Sequence, residues 1–418
     1  MTGEWPKVAV SDVAIAVIGG TPSRSVPAYW DGDIPWATAK DIANTAVRYL
    51  NETQEFITEE GLENSAAKLL PTGTVVITAR GTVGAIAQLG REMTFNQTCY
   101  ALIPKEGLDN NFLFYVLKGT IAEMQALTYG TVFETITTQS FNHWIIPFPP
   151  LPEQRSIAHI LGTLDDKIEL NRRMSETLEA MARALFKSWF VDFDPVRAKM
   201  EGRWRKGESL LGLPAHLYDL FPDRLVDSEL GQIPEGWEVG TLGQLMELAY
   251  GRALKEENRK LGRVPVYGSN GQIGWHDEAL ATGPGIVVGR KGNPGIVTWV
   301  PTDFFAIDTT FYVVPKEKCR SLYFLFFALS GHDLPSLAAD SAVPGLNRNF
   351  AYSKSQVIPS STVLDAFDEV ASALFERQYA NNCESRTLAA LRDALLPKLI
   401  SGELRVKDAE RFLKERGL

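Results

Sequence analysis

The chain has 418 residues, of which 45% are hydrophobic and 22% are charged; this composition excludes disordered and fibrous classes, and the length predicts more than one domain. A formal net charge of −9 argues against a uniformly basic surface, so any nucleic-acid-binding face must be local. The most apolar stretch, residues 322–329, is far shorter than the roughly 20 residues of a membrane span. Residues 1–10 also lack a signal-peptide pattern, so we expect a cytoplasmic protein without membrane contact.

Residues 1–150 have the mixed pattern of a globular domain. Within them, residues 72–86 read TGTVVITARGTVGAI, an apolar run interrupted by one basic residue and two glycines. This pattern predicts two strands joined by a glycine-containing turn.

A long helix follows in residues 151–206 and ends near Phe190, because the next residues, VDFDPV, bring non-helical signals and a proline. Apolar residues recur in alternating steps of four and three, the pattern of a coiled-coil seam, here with polar interruptions. The predicted seam positions are Ile157, Leu161, Leu164, Ile168, Asn171, Leu178 and Leu185.

Residues 207–235 are rich in glycine, proline and acidic residues, which predicts a linker packed on the surface. Residues 236–355 read as a second globular domain, and residues 356–418 as a second long helix with a charged tail. The second seam consists of Phe367, Val370, Leu374, Asn381, Leu388, Leu391 and Leu395.

The two halves repeat one another. Residues 283–297, GPGIVVGRKGNPGIV, match residues 72–86 at an offset of 211, and Asn171 matches Asn381 at an offset of 210. A single helix of this pattern is usually an amphipathic helix lying on its own domain. Two equivalent helices separated by a whole domain instead favour an antiparallel pair with one domain at each end, in which a buried Asn can fix the register. We therefore predict an α+β fold with an internal pseudo-two-fold repeat.

Catalytic signatures are missing from the sequence. It contains no GxxxxGK[ST] phosphate loop, GxSxG elbow, HExxH helix or CxxC pair. The three cysteines are far apart, which predicts buried thiols, and the five histidines never have metal-ligand spacing. We expect neither a catalytic residue nor a metal site.

Several glycine-containing loops combine cations with amide, hydroxyl and aromatic groups, which can contact phosphates and base edges. Residues 250–354 are locally cationic, with twelve basic and nine acidic side chains, whereas residues 1–150 have nine and fifteen. One such loop alone is more often a solvated turn, but recurrence in two equivalent domains favours DNA binding. The candidates are Arg24, Lys40, Arg80, Thr82, Asn96 and Gln97 in the first half, and Arg252, Lys255, Tyr267, Ser269, Asn270, Arg290, Lys291, Asn293, Asn347 and Arg348 in the second.

Residues 149–196, which include PPLPEQ and the stretch from NRR to FKSWF, closely resemble the central region of type I restriction-modification specificity subunits. VPVYGSNGQIGW (264–275), ARGTVGAI (79–86) and LLPKLISGEL (395–404) support this resemblance, which covers essentially the whole chain.

The resemblance implies two target-recognition domains, each reading one half of a bipartite double-stranded DNA sequence. The helices would set the spacing and dock two methyltransferase subunits, and motor and nuclease subunits can join the assembly. S-adenosylmethionine, ATP and Mg would then belong to partner subunits, and this chain would hold no cofactor. One departure is that the second half has VIPSSTVLDA where the first has IIPFPPLPEQ, which puts equal docking of the two partner subunits in doubt.

Two other interpretations remain. A self-sufficient DNA enzyme would need a methyltransferase or nuclease motif, such as NPPY or PD…ExK, and the sequence shows neither. A protein-only scaffold built on the coiled helices would not bind DNA, so a binding assay against random duplex separates it from a DNA-reading subunit.

Overall fold

The computed structural model describes residues 5–45, 47–128, 135–336 and 345–414. The strands, numbered β1 to β21, are Lys7–Ala9, Ala14–Ile18, Trp30–Ala37, Tyr49–Leu50, Glu55–Ile57, Val75–Thr78, Ile86–Leu89, Thr94–Phe95, Cys99–Pro104, Ile145–Pro147, Leu225–Ser228, Gly231–Pro234, Glu238–Thr241, Met246–Tyr250, Val264–Gly268, Gly271–His276, Gly285–Gly289, Val297–Val300, Phe305–Ala306, Thr310–Pro315 and Ser355–Ile358. The α-helices, numbered α1 to α12, are Val10–Val13, Ala39–Asn44, Glu59–Glu63, Asn110–Thr128, Ser140–His143, Leu151–Phe190, Asp194–Met200, Leu242–Leu245, Leu322–Gly331, Arg348–Tyr352, Ser361–Ser401 and Val406–Lys414.

The chain forms two compact units, Met1–Arg172 with Cys383–Leu418, and Arg173–Asn382. The long helices α6 and α11 each contribute one half to each unit. Each unit therefore contains a globular domain and a stretch of both long helices, which agrees with the predicted repeat.

The sheets of the two units have the same order of strands. The first unit has a five-stranded sheet β2-β9-β6-β7-β4, a three-stranded sheet β5-β3-β8 and the pair β1-β10. The second has β14-β20-β17-β18, β16-β15-β19 and the pair β13-β21, together with the hairpin β11-β12. Mixed helix and sheet in a duplicated arrangement confirms the predicted α+β class.

Strand β4 extends the large sheet of the first unit and has no counterpart among the described strands of the second unit. It covers the edge of β7, where the amide of Gly90 donates to the carbonyl of Leu50 (2.8 Å). At the offset of 211 the residue equivalent to Gly90 is Pro301, which has no N–H to donate. The edge of β18 is thus protected by a proline instead of an added strand.

Recurring glycines in the two matching segments have the same backbone role. Gly81 and Gly84 have φ of 81° and 89°, and their equivalents Gly292 and Gly295 have φ of 82° and 84°. These left-handed conformations are costly for other residues. The repeated sequence is therefore a strand-turn-strand element, β6-β7 in the first unit and β17-β18 in the second.

Within each unit, α6 and α11 run antiparallel. In the first unit Asp165 contacts Arg392 and, further along α6, Asn171 donates to Glu384 (2.7 Å), which lies earlier in α11. In the second unit Phe186 packs against Phe367 with ring centres 6.1 Å apart. Of the predicted seam residues, Ile157, Leu161, Leu164, Asn171, Phe367, Asn381, Leu388 and Leu395 are buried, and Ile168, Leu178, Leu185, Leu374 and Leu391 are half-buried.

One predicted seam residue is wrong. Val370 is 40% exposed, and its neighbour Ala371 is fully buried in its place. Apolar character alone favoured the valine, but the contact face continues through Phe367, Ala371 and Phe375 in steps of four. A step of four residues in place of three moves the buried position to the next residue along the helix, here from Val370 to Ala371.

The segment predicted as a surface linker, residues 207–235, belongs to the core of the second unit. Its side chains Leu213, Leu217, Phe221 and Ile233 are at most 4% exposed and pack in the cluster that contains Trp189 and the α9 aromatics. Glycines and prolines are spaced between these apolar residues, so the segment folds as turns, a 3-10 helix and a hairpin over the end of α6.

Candidate nucleic-acid interface

In the second unit, hydrogen bonds gather the predicted DNA-binding loops at one end of the sheets. The amide of Arg252 donates to the carbonyl of Ala306 (3.0 Å), and the amide of Arg290 donates to Thr309 (2.9 Å). The carbonyl of Arg290 in turn accepts from the amide of Leu346 (2.9 Å). The loops that follow β14, β17 and β19 and the segment before α10 therefore adjoin one another.

Two arginines of this cluster flank an exposed aromatic ring. The guanidinium carbons of Arg290 and Arg348 lie 4.9 and 5.0 Å from the ring centre of Tyr250, which is 49% exposed. Arg290 also donates to the carbonyl of Asp308 (3.1 Å). Contact with the Tyr250 ring orients both cations, and the hydrogen bond to Asp308 adds a second contact for Arg290.

Other predicted side chains around this cluster are exposed. Lys291, which directly follows Arg290, is exposed, as are Asn270 and Asn293. Ser269 is half-buried. Asn347 is exposed but caps α10, because its side chain accepts from the amide of Asn349 (2.9 Å).

Tyr267 and Lys255 differ from the other candidates. Tyr267 is only 8% exposed and packs edge-on against Phe304 in a small apolar cluster, so its ring is part of the core. A tyrosine within a strand points to one of the two faces, and the sequence motif did not indicate which. Lys255 is exposed and pairs with Glu257 (3.6 Å) in the adjoining short helix.

The first unit gathers its loops by the equivalent hydrogen bonds. Ala79, equivalent to Arg290, donates its amide to Thr98 (2.8 Å), and its carbonyl accepts from the amide of Ile136 (3.1 Å). The amide of Asn96 donates to the carbonyl of Ala37 (2.9 Å). Exposed around these loops are Lys40, Arg80, Thr82 and Gln97.

Three candidates in the first unit already have partners, and one of them is Gln97, whose side-chain carbonyl accepts from the hydroxyl of Thr21. The side chain of Asn96 accepts from the amide and hydroxyl of Thr98 (3.1 and 2.6 Å), so it shapes its own turn and is not free to read a base. Arg24 lies 3.7 Å from the ring centre of Trp30 and pairs with Glu55 (2.5 Å). That hydrogen bond lowers the pKa of Glu55, so the cation is balanced by a carboxylate.

Tyr250 was missed by sequence reasoning. The register of β14 on β20 pairs Tyr250 with Phe311, as the register of β2 on β9 pairs Ile18 with Tyr100. Ile18 is therefore the equivalent of Tyr250, and it too is exposed, at 51%. An apolar residue at the end of a strand, directly before the recurring glycine, is the signal that could have identified both.

A sequence model described as the type I restriction modification DNA specificity domain matches residues 2–180 and again residues 234–349. The chain belongs to this family. Each of the two matched regions of this DNA-specificity chain contains one of the two loop clusters described above.

Curated relatives agree with the assignment of this DNA-specificity chain. It is 29% identical to the type I restriction enzyme MjaIX specificity subunit of Methanocaldococcus jannaschii, over 97% of this chain and 94% of that protein. It is 27% identical to the HindI specificity subunit of Haemophilus influenzae, over 68% of this chain and 73% of that protein.

A solved structure has the same fold. The crystal structure of the type I restriction-modification S subunit from M. genitalium matches this DNA-specificity chain with a TM-score of 0.60 and 18% identity, covering 95% of this chain and 96% of the other. The likeness of the two folds extends over both units.

Two of the three thiols of the DNA-specificity chain lie in its cores. Cys99 and Cys319 are buried, as expected, and burial raises the pKa of each thiol to about 12; Cys383 is half-buried. Over the ranges 5–45, 47–128, 135–336 and 345–414, no three metal-ligating side chains are grouped to hold an ion. No helix in those ranges is long and apolar enough to cross a membrane.

Proposed function

We propose that this chain reads a bipartite DNA sequence for a type I restriction-modification complex, one half-site by each unit. The observation that carries the proposal is the pair of equivalent loop clusters, one in each unit, built on the same backbone hydrogen bonds but with different side chains. Arg290, for example, stands where the first unit has Ala79. A conserved backbone frame with divergent side chains suits two readers of different sequences.

The second cluster has the chemistry for guanine. Arg290 and Arg348 are fixed beside Tyr250, and a guanidinium can bind O6 and N7 of guanine in a fork. Lys291 and its equivalent Arg80 are exposed at the turns and suit phosphate contacts, which set affinity without reading sequence.

The first cluster has a different character. Its exposed groups include Ile18, Thr82 and Gln97, an apolar side chain, a hydroxyl and an amide. Apolar contact suits the thymine methyl group, and an amide can pair with adenine. We infer that the two half-sites differ in base composition.

The paired helices α6 and α11 would set the gap between the half-sites and dock two methyltransferase subunits. The EQ pair of the first spacer supports the fold here, because Gln154 is fully buried. Its side chain accepts from the amide of Asp109 (2.8 Å) and donates to the carbonyl of Gly107 (3.0 Å). The second half has no such pair, and it therefore lacks this link between the long helix and the loop before the domain helix.

Catalysis in this proposal belongs to other subunits. The methyltransferase subunits would bind S-adenosylmethionine, and motor and nuclease subunits would use ATP and Mg where they are present. The contribution of this chain is to bind and position the duplex and to orient its partners, and it carries no reacting group.

Mapping methylated bases in cells that express the chain with its methyltransferase tests the proposal. The expected result is one split motif with a gap of fixed length. Filter binding to random duplex, with and without the methyltransferase, provides the second measurement. No DNA binding in either condition, or a continuous methylated motif, would replace the DNA-reading proposal with a scaffold or a single-domain reader.

A further inference from the structure

A chain of buried polar contacts joins the globular domain of the first unit to both long helices. Asp165 on α6 accepts at one carboxylate oxygen from the Tyr115 hydroxyl (2.7 Å) and at the other from Arg392 of α11 (2.5 Å). Tyr115 lies on α4, and its hydroxyl is also 3.4 Å from Nη1 of Arg48. Arg48 adds a hydrogen bond to Asn111, 2.6 Å away, at the start of α4.

The contacts between α4, α6 and α11 are directional as well as buried. Tyr115 is 0% exposed and Asp165 is 6% exposed, and the Arg392 side chain is 16% exposed. Burial, and next the negative charge of Asp165, raises the pKa of Tyr115, so its hydroxyl stays protonated as a donor. A buried carboxylate requires its donors. Because one donor comes from α4 and the other from α11, a rotation of the domain against either helix breaks a contact.

The internal repeat shows which residues the second unit places at these positions. Asp109 accepts from the amide of Phe112 (3.0 Å) at the start of α4, and Ser321 accepts from the amide of Phe324 (2.9 Å) at the start of α9. These caps align the two helices at an offset of 212. The equivalent of Tyr115 is then Phe327.

The long helices align at an offset of 210, through Asn171 and Asn381, both 1% exposed. Asp165 is thereby equivalent to Phe375, and Arg392 to Ala182. Phe375 and Ala182 are buried, and Phe375 packs 5.9 Å from Phe327. At these three positions the second unit has no side chain that can form a hydrogen bond, and its domain meets the helices through ring contacts, among them the guanidinium of Arg183 on α6, 6.0 Å from the ring centre of Phe327.

We propose that Tyr115, Asp165 and Arg392 are positioning residues, which fix the orientation of the first domain on the paired helices and thereby the register of its half-site. The inference rests on the proposed DNA-reading function. None of the three residues is among the exposed side chains of the loop cluster, so they act on the spacing of the target and leave the bases read unchanged. The second unit has Phe327, Phe375 and Ala182 at the equivalent positions and joins its domain to α11 elsewhere, through the hydrogen bond that the Ser321 hydroxyl donates to Asp368.

The test measures methylation rates on three duplexes, with the native gap and with one base pair removed or added, using the full chain assembled with its methyltransferase. Tyr115→Phe removes only the hydroxyl, and Asp165→Asn removes the charge. Thr120→Val is the matched control, because Thr120 is a buried α4 residue whose hydroxyl accepts from Trp144 (2.9 Å) and donates within its own helix. All three variants lose a buried hydrogen bond, but only the first two affect the contact with the long helices.

Wild type is expected to prefer the native gap. Tyr115→Phe and Asp165→Asn should reduce the ratio of the methylation rate at the native gap to the rate at the altered gaps by about tenfold, which is the effect of one hydrogen bond to a charged group. Both half-site sequences should stay the same. Thr120→Val should lower the melting temperature and keep the wild-type preference. The proposal is overturned if Tyr115→Phe keeps the wild-type preference, or if it slows methylation equally at all three gaps. A wild type that methylates all gaps alike would instead refute the bipartite function itself.

A triple variant that copies the second unit, Tyr115→Phe with Asp165→Phe and Arg392→Ala, provides an independent measurement. It replaces the polar contact with the apolar set that the same fold already accommodates. We expect this variant to assemble with the methyltransferase and to prefer the native gap length less strongly than wild type. If the triple variant does not fold, Tyr115→Phe decides the question alone.

Discussion

The guanidinium carbon of Arg348 lies 5.0 Å from the ring centre of Tyr250, and this contact holds a cation at the exposed end of strand β14. The equivalent strand end in the first unit carries Ile18. The two loop clusters thus share a backbone arrangement and differ in the side chains that they expose.

Arg348→Ala should relax one base position in one half-site, at a cost of about 1 to 3 kcal/mol in binding to the native sequence. The measurement is a methylation map together with competition binding. Arg320→Ala is the control, since Arg320 is exposed, precedes α9 at the other end of the domain and gives the same change in charge. An unchanged motif, or the same relaxed position in the control, would exclude Arg348 from base reading.

Lys291→Ala and Arg80→Ala should weaken binding without changing the sequence read. Both residues are exposed at equivalent turns, which suits contact with phosphate. Each lost phosphate contact should reduce the slope of log affinity against log salt by about one. Arg290→Ala, in contrast, should change the motif. Salt titration of all three variants distinguishes the roles, and a wild-type slope in Lys291→Ala would remove this turn from the interface.

The sequence predicted the repeat, the strand-turn-strand elements and the antiparallel helices because each depends on local periodicity or on glycine at a left-handed turn. It was less accurate where neighbouring packing decides. Val370 is apolar yet exposed, because the buried position at this turn is Ala371, and Asn96 uses its side-chain carbonyl to close its own turn. Tyr250 escaped notice because its exposure depends on which strand lies beside β14, and that is a non-local property.

Leu164→Asp should prevent assembly with the methyltransferase before the second unit unfolds. Leu164 is 3% exposed in the core that α6 shares with α11, and an unpaired carboxylate there costs several kcal/mol. Val370→Asp is the control, because Val370 is 40% exposed and should tolerate the charge. Size-exclusion chromatography gives the assembly state. Intact complex from Leu164→Asp, or equal loss from both variants, would contradict this view of the helix pair.

The carboxyl group of Asp368 should make the stability of the second unit depend on pH. Burial raises its pKa from 3.8 to about 6, and its partner is the Ser321 hydroxyl. A raised pKa means that the folded state binds more protons than the unfolded state between these two pKa values. The stabilisation that Asp368 gives to the folded state is therefore lost as the pH rises from about 4 to 6. Asp368→Asn does not titrate, so its melting temperature relative to wild type should rise over that interval.

Glu369→Gln, at the exposed position next to Asp368 in α11, is the control for that measurement, because the charge of Asp365, one turn earlier, itself raises the pKa of Asp368. It removes the same formal charge from the helix without the buried environment. A difference curve for Asp368→Asn that is flat, or that matches the control, would show that the Asp368 carboxyl does not titrate in this range.

Lengthening both long helices should widen the gap between half-sites. The insertions must face one another, and Asn171 on α6 contacts Glu384 on α11. Four residues added after Arg172 and four after Asn382 separate the helices where the two units divide, so Asn171 stays with Glu384 and Ser175 stays with Gln378. Each insertion adds about 6 Å, which corresponds to one or two base pairs at about 3.4 Å each.

The control lengthens the same helices at positions that are equivalent in the repeat but do not face one another, after Glu179 and after Ala389. With these insertions Ser175 stays in place relative to the first unit, whereas Gln378, which contacts Ser175 in the second unit, is displaced. The two helices are then shifted by one turn against each other between the insertions and should fail to pair there. For the facing insertions, each added base pair also rotates the second half-site by roughly a tenth of a turn, so one added pair should be tolerated better than two. Both half-site sequences must stay the same, because no loop residue has changed. A methylation map that shows a new half-site, or activity at the original gap only, would refute the role of the helices as a spacer.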